Sequence, residues 1–296
     1  MSTAVKLKSG AWSATVYPEI GGALGSLEHD GTPLMREITG EAIDARNVRL
    51  SSSYPLVPYS NRIGHGRFSF EGADYTLRLN FDNQTNAIHG VGWQSRWRID
   101  RAEAASAVLS LAHRPQGEVA DLWPFAFDAH QTFELTSSGL AITLCVRNMG
   151  QRNMPAGIGF HPYFVRSAKT MLTFEAEGVW LSGADKLPAE RSRAAEWDYS
   201  KPRIVVERAL DHAFFGWKGF AKMSDVTLGK AITLRADPVF RHVVVYAPSD
   251  RSFVAVEPVS NMTDAVNRMS EPDQGLKVLA PGEQLCGTVH FGVEAL

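Results

Sequence analysis

Residue-by-residue alternation of apolar and polar side chains is the feature that most limits what this chain can become. A period of two puts successive side chains on opposite faces of a strand, whereas a helix needs apolar residues every three or four positions. In "GRFSFEGADYTLRLNF", Phe68 and Phe70 alternate with small or polar residues. A Glu71-Gly72-Ala73-Asp74 turn follows, and Tyr75, Leu77 and Leu79 alternate again. The pattern predicts a hairpin with suitable turn chemistry. "FRHVVVYA", "PSDR" and "SFVAVEP" give a second hairpin, with nearly continuous apolar strands that suit a sheet covered on both faces. "GLKVLAPGEQLCGTVHFGV" gives a third, turning at Pro281-Gly282.

Further strands are expected in "SGLAITLCVRNM", "FDAHQTFEL" and "SAVLSLAHR". Helical stretches are few and short, the best being "PAERSRAAEWDY". Across 296 residues there is no Ser/Gly- or Pro-rich linker and no repeat of fixed period. The expectation is an all-β chain, one large antiparallel β-sandwich with a few short helices, forming a single domain over residues 1–296.

A formal net charge of -2 gives no electrostatic footprint for nucleic acid. The opening "MSTAVKLKSGAWSATVYPEIGG" is interrupted by charges before any signal-like apolar run. No window approaches the roughly 18 apolar residues of a membrane span. A cytoplasmic protein without membrane or nucleic-acid partners is expected. Cys145 and Cys286 are far apart and form no CxxC unit, which argues against a disulfide framework or a cysteine-based zinc site.

Phosphate loops, GxGxxG after a strand, GxSxG elbows and HExxH are all missing. "GGALG" reads as a turn between strands, and His65, His89 and His113 are too spread out to imply metal ligation.

What remains is a set of polar residues in apolar surroundings. His161 stands in "GIGFHPYF", where Pro162 pushes its backbone towards extended geometry. It is either a packing residue or one aimed into a pocket. Glu257 closes the apolar run of "SFVAVEPVSN". Burial there would raise its pKa and make it a better base near neutrality, although a strand-capping or arginine-pairing role fits the same position. Arg62 in "PYSNRIGHG" reads as a salt-bridge partner or a ligand contact, and His89 in "QTNAIHGVGW" as a turn residue or a site residue. Asp211 in "RALDHAFFGW" reads as a turn residue, a helix cap or a site residue. Trp93, Phe160, Tyr163 and Trp217 read as core, although aromatics near polar groups also suit sugar faces.

Together the segments "PYSNRIGHGRFSFEGADYTL", "NAIHGVGW", "GFHPYF", "LDHAF" and "VEPVSNMTDA" resemble, in order, those of the aldose 1-epimerases, or galactose mutarotases. The match covers about positions 55 to 265, and "LAPGEQLCGTVHFGV" resembles the family's last hairpin. The resemblance implies a galactose mutarotase-like sandwich with a sugar cleft across one sheet and no metal or organic cofactor. It implies His161 as general acid and Glu257 as general base, with Arg62, His89 and Asp211 binding a monosaccharide substrate in a monomer or homodimer. Two departures bear on which sugar is preferred: Val91, where the family often has a second glycine after "HG", and the segment "PVSNMTDAVNR". Hexose-6-phosphate mutarotation is a related reading; it needs a further cation, for which Arg67, Arg96 and Arg166 are available. Two readings of other classes are a non-catalytic sugar-binding protein and a glycoside hydrolase with Asp211 and Glu257 as its carboxylate pair.

Overall fold

The computed structural model describes residues 3–81, 84–205 and 209–296. Its strands pair antiparallel throughout and form two large sheets, with a four-stranded sheet at the N-terminal end. The larger sheet has nine strands. At its centre Phe127–Thr136, Gly139–Asn148 and Gln284–Ala295 pair in long unbroken ladders. The second sheet has eight strands and runs from the edge strand Pro188–Ser192 through Gly178–Ser182, Leu210–Phe215, His242–Ala247 and Phe253–Val259. Short strands at Gly159–Phe160, Tyr163–Val165 and Pro55–Leu56 complete it.

Alternation explains how the sheets pack. Along Phe127–Thr136 the side chains of Phe127, Ala129, Phe133 and Leu135 are buried, while His130, Glu134 and Thr136 face out. Val243, Val245, Val254 and Val256 of the eight-stranded sheet join the same apolar core as Phe133, Leu144 and Val146 of the nine-stranded one. Each fully buried Val, Leu or Phe contributes roughly 1.5–3 kcal/mol, so this shared layer holds the sheets face to face. Most side chains on both faces of the two central strands are buried, as the apolar runs indicate.

The first two hairpins form as expected. The first turns on Glu71 and Gly72 alone, with φ of +49° and +79°, the sign that a tight primed turn requires.

Three expectations are corrected. "PAERSRAAEWDY" holds an edge strand, Pro188–Ser192, and a single 3₁₀ turn, Ala195–Trp197, with no α-helix. An edge strand exposes most of its side chains, so its charged composition imitates a solvated helix. Lys277–Leu279 does not fold back on Gln284–Ala295; it pairs with Met154–Ala156. Cys145 and Cys286, though 141 residues apart, lie opposite each other on neighbouring strands and are joined in a disulfide. Ladder register, which sequence distance does not reveal, brings them together.

The α-helix Gly40–Asp44 is a single turn, capped by Thr39, whose side chain accepts from the Ala42 N–H. No helix among the described residues is long and apolar enough to cross a membrane.

Candidate active site

The strand that supplies the core also supplies the site. Along Phe253–Val259, Val254 and Val256 enter the shared core, whereas Phe253 and Glu257 face a cleft of about 570 Å³. The neighbouring strand behaves alike, with Val243 and Val245 inward and Val244 and Tyr246 in the cleft. The register pairs Val244 with Glu257, and Tyr246 with both Ala255 and Asp211. Asp211 thus reaches the cleft from the next strand across.

His161 lies in a gap of the ladder. Gly159 pairs with Val259 and Tyr163 with Ala255, so the register continued through the gap sets His161 opposite Glu257. Pro162 has no N–H to donate, and the His161 N–H is taken by the Tyr54 carbonyl on the other side, at 3.0 Å. The side chains meet, with His161 Nε2 3.1 Å from Glu257 Oε1. Close packing forces glycine just upstream: a Cβ at Gly157 would fall 2.0 Å from Asn261 Oδ1.

Arg62 comes from a two-stranded ladder in which it faces Ile88, and His89 directly follows the second strand. Asn61 and His89 both adopt left-handed backbone, with φ of +58° and +61°. They hold each other there: the His89 N–H donates to the Asn61 carbonyl at 2.9 Å, and the Asn61 N–H to His89 Nδ1 at 3.2 Å. Such backbone costs energy for residues other than glycine and is retained where the surroundings over-determine it. Because Nδ1 accepts, the proton of neutral His89 sits on Nε2. The Arg62 guanidinium donates to Asn61 Oδ1, and its carbonyl accepts from the Asp264 N–H at 2.8 Å.

All five sequence-predicted residues, Arg62, His89, His161, Asp211 and Glu257, therefore line one cleft. Glu257 and His161 are almost wholly buried, and Asp211 is paired with Lys186 at 3.4 Å. Tyr54, Tyr163, Tyr246 and Arg36 line it too, beyond the residues the sequence reading singles out for the site. Tyr163 was readable, because it stands two residues after His161 and so shares its face; the others come from segments without a motif. The Tyr163 hydroxyl lies 3.4 Å from His161 Nε2 and 3.2 Å from the Tyr54 hydroxyl. The Arg36 guanidinium stacks 3.8 Å from the centre of the Tyr163 ring. Trp93, Phe160 and Trp217 are buried as core.

Electrostatics follow from burial. Desolvation, with a smaller push from nearby Asp211, holds the Glu257 carboxyl well above the usual range. Desolvation, with the Arg36 charge second, lowers the His161 imidazole to about 3. His89 is likewise pushed well below its ordinary value by burial, then by His161 and Arg62. Although His161 and Glu257 stand at ion-pair distance, burial of both favours a neutral carboxylic acid hydrogen-bonded to a neutral imidazole. The pair holds one proton between two groups, and the proton belongs to the pair.

Of the three arginines considered for a phosphate, Arg166 is buried and donates to the carbonyls of Pro248 and Arg251. Arg67 lies on the exposed face of the first hairpin. Neither lines the cleft, whereas Arg96 lines a cavity that adjoins it.

The family model for aldose 1-epimerase matches residues 3–292. The uncharacterized protein YphB of Escherichia coli K12 is 30% identical over 287 residues, covering 93% of this chain and 94% of YphB. A crystal structure of a candidate aldose 1-epimerase from the same organism superposes with a TM-score of 0.89 and 28% identity over the whole of both chains. A galactose mutarotase-like protein from Clostridium acetobutylicum shares the fold, with a TM-score of 0.84 at 19% identity over all of this chain and 96% of that one. With its cleft built on the second sheet and its sequence matched almost from end to end, the chain belongs to the aldose 1-epimerase family.

Proposed function

We propose that the protein is an aldose 1-epimerase that interconverts the α and β anomers of a free aldohexose of the glucose or galactose type. The observation that carries this reading is the contact between His161 and Glu257 at the floor of a polar cleft large enough for a monosaccharide. Opening a cyclic hemiacetal needs a base at the anomeric hydroxyl and an acid at the ring oxygen. Those two oxygens share one carbon, so the base and acid must be close neighbours.

The proton held by the pair passes to His161 Nε2, leaving Glu257 as the carboxylate. Glu257 takes the proton of the anomeric hydroxyl while His161 gives its proton to the ring oxygen, and the C1 to ring-oxygen bond breaks as the aldehyde forms. After rotation about C1–C2 the ring closes on the other face, with each proton returned. The pair starts and ends with one proton, so no external acid or base is consumed. Each positioned group contributes about 10²–10⁴-fold. Arg62 and the Nε2–H of His89 supply fixed donors for charge developing on the ring oxygen. Asp211 accepts from sugar hydroxyls and fixes orientation. The roles of all five residues are those the sequence resemblance implies.

The test is polarimetry of freshly dissolved α-D-glucose and α-D-galactose. Acceleration of at least one above the buffer rate is expected; the buffer rate for both would contradict the reading.

A further inference from the structure

Lys186 enters the cleft from a part of the chain that carries no motif. It stands on the loop 183–187, which joins the edge strands Gly178–Ser182 and Pro188–Ser192, and it lines the cleft beside Asp211. Its Nζ lies 3.4 Å from Asp211 Oδ2, with both side chains partly exposed.

The fold holds this lysine in an unfavourable backbone. Its φ of +66° is left-handed, as are those of Asn61 and His89, the other non-glycine residues of that kind lining the cleft among the described residues. That conformation suits glycine and, less well, Asn, Asp or His; lysine gains nothing from it locally. The loop is nonetheless fastened on several sides. The buried Asn86 side chain donates to the Asp185 carbonyl at 2.8 Å and accepts from the His65 N–H at 3.0 Å. Within the loop the Leu187 N–H donates to Asp185 Oδ1 at 3.0 Å, and the Gly183 N–H to the Leu187 carbonyl at 2.9 Å. Asp211 is tied to the same hairpin. Trp180 pairs with Ala213, and the Ser182 hydroxyl donates to the Asp211 carbonyl at 3.2 Å.

An exposed ion pair adds little to stability, so it does not by itself account for the strained backbone. What the pair offers is chemical. The ammonium has three N–H donors and faces one carboxylate oxygen, and the carboxylate keeps lone pairs to spare. A donor and an acceptor side by side match two neighbouring hydroxyls, one accepting from Lys186 and the other donating to Asp211. Asp211 stands two strands from Glu257, about 10 Å between backbones at roughly 4.8 Å per strand. With C1 held at His161 and Glu257, the pair meets the far side of the ring, where the hydroxyls of C3 and C4 lie.

We propose that Lys186 is a specificity-determining residue that, with Asp211, recognises the adjacent C3 and C4 hydroxyls of the sugar. The inference rests on the mutarotase reading of the cleft and adds the part of the sugar that this end selects.

The experiment measures kcat and KM by polarimetry for D-glucose and its 2-, 3- and 4-deoxy analogues. Wild type is compared with Lys186→Met and with Lys186→Gly, in which glycine suits the left-handed backbone. Both variants should keep the unfolding midpoint and raise KM for glucose about five- to tenfold, with kcat changed less than twofold. In wild type the 3- and 4-deoxy sugars should each lose about tenfold in kcat/KM. Lys186→Met should abolish most of that loss for one of the two, because its hydroxyl no longer has a partner, and leave the 2-deoxy value unaltered relative to glucose. A deoxy profile the same in Lys186→Met as in wild type, a change centred on C2, or a Lys186→Gly variant with the wild-type KM overturns the proposal. If wild type turns over none of the sugars, the mutarotase reading fails and calorimetric binding decides. The proposal then stands if the same deoxy pattern appears in the binding constants, and falls if it does not.

Discussion

The two large sheets share one core and differ in regularity. In the nine-stranded sheet, Phe127–Thr136 and Gly139–Asn148 pair residue for residue over their whole length, and Gln284–Ala295 continues the ladder. In the eight-stranded sheet the chain from Gly159 to Val165 breaks its ladder at His161-Pro162, and the catalytic candidates gather at that break. An unbroken ladder satisfies its own backbone groups and leaves its side chains to packing. The broken one hands the His161 N–H to Tyr54 and frees an imidazole to face Glu257. Both sheets carry the core, but the proposed chemistry uses the cleft face of only one of them, so substitutions in each should separate stability from turnover.

The largest stability effect is expected in the regular sheet. Phe133 is fully buried in the shared core, and Phe133→Ala should cost about 3–5 kcal/mol in denaturant unfolding. The turnover of the molecules that remain folded should be near wild type. A large loss of kcat with little loss of stability would break the division. Asp211→Asn tests the other sheet. Losing a charged acceptor for sugar hydroxyls should lower kcat/KM about ten- to a hundredfold, with little change in the unfolding midpoint.

A smaller effect concerns pH. His242 begins the strand beside that of Glu257, is buried, and is lowered to about 4, first by desolvation. Below the unfolded value of about 6.5 the unfolded chain binds a proton that the folded chain refuses, so stability falls as pH drops from there towards 4. His242→Asn should reduce that slope by up to about 1.4 kcal/mol per pH unit. An unchanged slope between pH 4 and 6.5 would show that this histidine is charged in the folded state.

The same contrast decides what is legible in the sequence. Long ladders announce themselves through alternation or through unbroken apolar runs, which is why Phe127–Thr136, Gly139–Asn148 and the hairpin over 242–259 can be read directly. Pro188–Ser192 imitates a helix because an edge strand has little to bury. The pairing of Lys277–Leu279 with Met154–Ala156, and of Cys145 with Cys286, depends on tertiary register that no local pattern encodes. In the site, His161, Glu257, Arg62, His89 and Asp211 are legible because each sits in a short recognisable segment. Arg36, Tyr54 and Tyr246 are not, because the fold alone brings them to the cleft. The left-handed turn that locks His89 to Asn61, and so fixes its tautomer, shows in the sequence only as a glycine neighbour.

The proposed chemistry stands on Glu257 and His161 acting as one acid–base pair. The most direct measurement is polarimetric mutarotation by wild type, Glu257→Gln, His161→Asn and the double variant, each shown folded by its unfolding transition. A shared-proton pair predicts a rate loss of about 10²-fold or more in either variant, with the two losses far from additive because the groups act as a unit. Either folded variant turning over at the wild-type rate would contradict it.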